Sequence, residues 1–148
     1  MKARVVRATL VAVLALASAC SEPHTGPVRI VWGRHACDHC GMTINEQAFA
    51  AEVRVSPRAV MRFDDFGCAV AWLESKGGPG AATEFWVMDQ ERAEWIDARR
   101  AFYRPGQRTP MAYGFAAVQS RTPDSVDFET ARRTVLEQSR DRSAHEHP

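Results

Sequence analysis

The chain has 148 residues, of which 45% are hydrophobic and 25% charged, with a formal net charge of +1. That length allows one compact domain or two very small ones, and the composition is that of a globular protein, which excludes disorder throughout. The near-balance of charge removes the electrostatic case for nucleic-acid binding.

The first elements in chain order are not part of a fold. Lys2, Arg4 and Arg7 form a basic head, and an apolar run from Ala8 to Ala17 follows, interrupted only by Thr9. The run is shorter than the ~20 apolar residues a spanning helix needs, so it reads as the core of a signal peptide. It ends Leu16-Ala17-Ser18-Ala19-Cys20, which resembles the bacterial lipobox. Residues 1–19 are then a lipoprotein signal, and Cys20 is the lipidated first residue of the mature protein. Ser21, in place of an aspartate, resembles the sorting signal for the outer membrane. Losing the three basic residues before Cys20 from nineteen leaves 16 against 18 acidic ones, a formal net of −2. The mature chain is expected in an oxidising compartment, the periplasm, where bare thiols tend to pair. Without Cys20 it keeps Cys37, Cys40 and Cys68, an odd number. A fold stapled by disulfides favours an even number.

Residues 20–27 read as a flexible tether and 28–138 as the folded domain. Val28 to Trp32 is a candidate strand, followed by an irregular Cys-rich stretch. Ala48 to Val55 and Ala59 to Phe63 read as a hairpin around Ser56-Pro57-Arg58. Asp64-Asp65 can cap a helix from Phe66 to Lys76, with Phe66, Ala69, Val70 and Leu73 on one face. Lys76-Gly77-Gly78-Pro79-Gly80 cannot continue a helix and divides the domain into halves at about 28–76 and 81–138. Phe85 to Met88, Trp95 to Ala98 and Met111 to Gln119 then read as strands, and Asp127 to Gln138 as a helix. The polar residues 139–148, with His145 and His147, read as a disordered tail. A weak repeat relates the halves. Met42 precedes Phe49-Ala50-Ala51, Met111 precedes Phe115-Ala116-Ala117, and Asp65-Phe66 and Asp127-Phe128 each open a helix. The expected fold is α+β, two small related β-β-α(-β) units packed together, because each half alone would bury too little surface.

The chemistry concentrates in Cys37-Asp38-His39-Cys40-Gly41-Met42. Thiolate and thioether ligands select soft ions such as Cu(I). Cys40 and Met42 lie at i and i+2, on one side of an extended segment. A third ligand can come from Cys37, His39 or Met111. The readings of single residues stay open: methionine also fills gaps in cores, His39 suits a solvated loop, and Cys68 on its helix reads as a buried inert thiol. Two other functions compete. A periplasmic thiol-disulfide oxidoreductase would use Cys37 and Cys40, but needs them at a helix start, and Thr43-Ile44 is a poor one. A structural zinc module would need four ligands, and the chain has no second cysteine pair.

Cys37-x-x-Cys40-Gly41-Met42, the lipobox, Phe63-Asp64-Asp65-x-Gly67-Cys68 and Trp72 together resemble the NosL family, the accessory lipoproteins of nitrous oxide reductase. The resemblance runs from about Val31 to Gln119. It implies a Cu(I) chaperone rather than an enzyme, with two related β-β-α-β units. It also implies nitrous oxide reductase and its membrane-bound maturation transporter as partners, and Cys40 and Met42 as the leading ligands. The resemblance does not settle Cys37, which the loop itself makes a helper to Cys40 and its expected disulfide partner when copper is absent.

Overall fold

The structure, a computed structural model, describes residues 24–146; the signal peptide, Cys20 and His147 lie outside the described residues. Four strands form an antiparallel sheet, β1 (Ala51–Ser56), β2 (Ala59–Phe63), β3 (Glu84–Met88) and β4 (Trp95–Asp97), in the order β2-β1-β3-β4. A second antiparallel sheet holds β5 (Phe102–Arg104), β6 (Ala116–Val118) and β7 (Val126–Asp127), in the order β6-β5-β7. Helix α1 (Phe66–Ser75) follows β2, and α2 (Phe128–Glu146) follows β7. The fold is α+β. Phe63 pairs with Ala51, and Ala51 in turn pairs with Val87, so the hairpin and β3 keep one face in register. Ala51, Val53, Phe85 and Val87 are buried on that face.

The two sheets share one core. Phe66, which opens α1, stacks on Phe85 of the first sheet at 6.1 Å and lies 4.3 Å from Tyr103 of the second. Phe128, which opens α2, meets Phe85 edge-on at 5.9 Å. Each such fully buried side chain stabilises by roughly 1.5–3 kcal/mol relative to exposure. This aromatic knot therefore joins both sheets and both helices.

Four segments differ from the sequence reading. Val28 to Trp32 forms no strand, because the Val28 N–H is spent on a side chain, the Glu52 carboxylate, at 2.8 Å. The tether is shorter than residues 20–27: Gly26 already donates to Glu84 and accepts from Arg54. Met111 begins no strand. Ala112 and Gly114 adopt positive φ (55° and 82°), so residues 109–114 turn, and only Ala116–Val118 are extended. Residues 139–146 are helical, not a disordered tail. They are polar, but they are fastened from the inside. Arg142 donates to the carbonyls of Met111 and Ala112 and packs 4.3 Å over the Tyr113 ring, while Ser139 donates to the Tyr113 hydroxyl.

Candidate metal centre

The Cys-rich stretch folds as a tight loop. Ala36 bridges to Thr43, the Cys37 N–H donates to the Met42 carbonyl at 2.8 Å, and the Gly41 N–H donates to the Cys37 carbonyl at 2.9 Å. Gly41 makes the turn at φ +76°, a conformation a side chain would strain. The loop docks on the edge strand β2. Asp38 N–H donates to the Arg62 carbonyl, and Arg62 N–H donates to the Asp38 carboxylate at 2.6 Å. That docking lays Cys37 and Cys40 beside the point where β2 ends and α1 begins.

At that point stand Asp64 and Asp65, with different tasks. Asp65 caps the helix, accepting from Gly67 N–H at 2.8 Å; its other oxygen accepts from the Thr109 hydroxyl at 2.6 Å and from Met111 N–H at 3.0 Å. Burial pushes its carboxyl up, and those three donors oppose the push. Asp64 instead faces the loop. Both its oxygens lie 3.6 Å from Cys40 Sγ. Cys68, in the first turn of α1, completes the group.

The Sγ atoms of Cys37, Cys40 and Cys68 and a carboxylate oxygen of Asp64 all lie within 4.8 Å of one another. Cys37, Asp64 and Cys68 are buried, and Cys40 is half-buried. The Cys37 thiol is lowered to about 7, first by the hydrogen bond from Cys68 and, against its burial, by backbone N–H groups of Cys40, Asp64 and His39. Cys68, as the donor in that bond and in a buried place, is pushed up. Cys40 is raised to about 11, mainly by burial. The arrangement thus favours one ionised sulfur among protonated ones near neutral pH. Cys37, Cys40 and Cys68 are free thiols.

The other candidate residues are placed differently. Met42 ends the loop and is 51% exposed, so its side chain stands at the surface. His39 is exposed and outside the four-residue group. Met111, like Cys40, is part-buried against the core that holds Cys37 and Cys68. Its backbone is clamped between Asp65 and Arg142. The sequence reading did not name Asp64 and Cys68 as ligands. Their signal was the separation of Asp64 from Cys68 by one helical turn (i, i+4), just after a strand that borders the Cys37 loop. The strand pairing needed to use that signal is long-range.

The site fits a soft cation. Buried carboxylates and thiolates are paired or bind metals, and three sulfurs outnumber one oxygen here. Of the three cysteine sulfurs, only Cys40 is partly exposed, and the exposed Met42 lies two residues on in the chain.

A family model described as NosL matches residues 27–131. The crystal structure of the copper chaperone NosL from Shewanella denitrificans is similar to this fold, with a TM-score of 0.56 and 19% sequence identity, covering 78% of this chain and 89% of that one. Among curated proteins no sequence matches.

Proposed function

The chain belongs to the NosL family, and from that premise we propose that it is a Cu(I) chaperone. It carries one Cu(I) through Cys40 and Met42, with Cys37 as the nearest helper, and passes it on by ligand exchange without catalysing a reaction. The observation that carries the reading is the three-sulfur group under a half-exposed Cys40. Sulfur donors suit Cu(I), and an open edge lets an acceptor attack. The structural relative named a copper chaperone agrees with it. The lipobox at Cys20 supports a protein anchored by lipid in the periplasm, at the outer membrane. The family supports nitrous oxide reductase as the client and its membrane-bound maturation transporter as the partner.

The thiol-disulfide oxidoreductase reading is weaker. Cys37 is buried and its loop, Cys37 to Met42, is a turn rather than a helix start, so a substrate disulfide has poor access to the more acidic sulfur. An anaerobic Cu(I) titration of the mature chain against a competing chelator tests the main reading. Stoichiometric uptake, weakened strongly by Cys40→Ser and only slightly by Met42→Ala, is expected. Retained affinity in Cys40→Ser would remove Cys40 from the site, and no uptake at all would end the copper reading.

A further inference from the structure

We propose that the protein holds copper in two positions that share Cys40: an outer one with Met42, and an inner one made by Cys37 and Cys68. The inference rests on the copper reading above and adds to it a ligand, Cys68, and a path.

The geometry has an inside and an outside. Cys37 is 3% exposed and Cys68 not at all, while Met42 is 51% exposed. Cys40 is half-buried between them, in the same four-atom group as the inner sulfurs and one residue removed from Met42. An ion on Cys40 and Met42 is within reach of an acceptor. An ion on Cys37, Cys40 and Cys68 is not. Cu(I) is satisfied by three soft ligands, so exchanging Met42 for Cys37 and Cys68 loses no coordination. Cys37 binds as a thiolate, Cys68 gives its thiol proton to solvent as it binds, and the ion stays Cu(I) throughout.

Asp64 has a separate part. A carboxylate oxygen is a hard donor and a poor ligand for Cu(I). Its two oxygens are, however, set 3.6 Å from Cys40 Sγ, where they accept the thiol proton. Asp64 therefore aims the Cys40 thiol. Its place is built into the fold. Asp64 opens the two-residue turn between β2 and α1, and Cys68 sits on the first turn of α1, held by the Asp65 cap on Gly67.

The experiment uses the mature, reduced chain loaded anaerobically with one equivalent of Cu(I). X-ray absorption of the wild type is expected to show about three sulfur neighbours at thiolate distance. Cys68→Ala is expected to lose one of them and at least about tenfold in affinity against bathocuproine disulfonate, in the range that loss of supporting groups costs metal sites. Met42→Ala is expected to keep the three thiolates and most of the affinity while giving up copper to the chelator more slowly. The wild-type spectrum needs no variant to fold, and Cys37→Ser gives a second variant. One thioether and one thiolate in the wild type, or identical affinity and sulfur count in Cys68→Ala, overturns the inner position while leaving the chaperone reading intact. A wild type that takes Zn(II) on all four groups and does not take Cu(I) overturns both.

Discussion

Gly67→Ala separates local propensity from tertiary packing, because the two give opposite signs. Gly67 is the second residue of α1, where alanine should stabilise a helix by about 1 kcal/mol. A Cβ added there would stand 2.0 Å from Tyr113 Cγ, 2.1 Å from Cδ2 and 2.6 Å from Cβ. Carbon atoms sit comfortably at about 3.5–4.0 Å, so the ring would have to retreat by roughly 1.5 Å. It has little room: the Arg142 guanidinium covers it at 4.3 Å and Tyr113 is 5% exposed. Either the helix end shifts, at the ~1–3 kcal/mol typical of overpacking, or the ring is expelled, at the ~3–5 kcal/mol of losing a large buried side chain. After the propensity gain, a net loss of about 0–2 kcal/mol follows if the helix end shifts and about 2–4 kcal/mol if the ring is expelled. That is a large share of the ~5–15 kcal/mol that holds a domain together. Anaerobic guanidinium unfolding of the reduced protein measures it, and a cycle with Tyr113→Ala assigns the cause. In the Tyr113→Ala background the loss should shrink, since the two ring contacts vanish and only the one with Cβ at 2.6 Å remains. Increased stability in the single variant, or the same loss in both backgrounds, would refute the packing argument.

Other outcomes follow from the same structure. Metal-free stability should rise between about pH 7 and pH 9, because Cys37 is lowered to about 7 from 9.0 and the unfolded chain binds more protons across that window. Above it, stability should fall again as Cys40, raised to about 11, keeps a proton that the unfolded chain loses. Thiolate absorbance should show a single ionisation near neutrality, and three thiols titrating together above pH 8 would contradict the hydrogen bond from Cys68 to Cys37. Arg142→Ala removes two hydrogen bonds from a charged group and a cation–ring contact. It should cost about 2 kcal/mol in the same unfolding assay, and a loss below measurement would return residues 139–146 to the role of a tail. His39→Ala should leave Cu(I) affinity unchanged, since His39 is exposed and outside the group; a clear loss in the chelator competition would bring it back as a ligand.

Much of this protein was legible from the order of its residues alone. The hairpin strand Ala59–Phe63, the start of α1 at Phe66 after an aspartate cap, the strand before Met88 and the start of α2 near Phe128 all rest on local rules of period and capping. The soft-ligand loop was equally visible, because Cys37, Cys40 and Met42 lie within six residues. Only the tertiary structure decided which elements failed and which residues joined the loop. The Val28 segment lost its ladder to Glu52, 24 residues away, and the polar end of α2 was stabilised by carbonyls about 30 residues earlier. The candidate centre divides in the same way. Its loop part, Cys37 to Met42, is contiguous in sequence, whereas Asp64 and Cys68 reach it only because the loop docks on the edge of β2 through Asp38 and Arg62. Local rules cannot register that docking, since a backbone pair between residues 24 apart leaves no period in the chain. It is also what sets three sulfurs together below the surface and leaves one methionine above it.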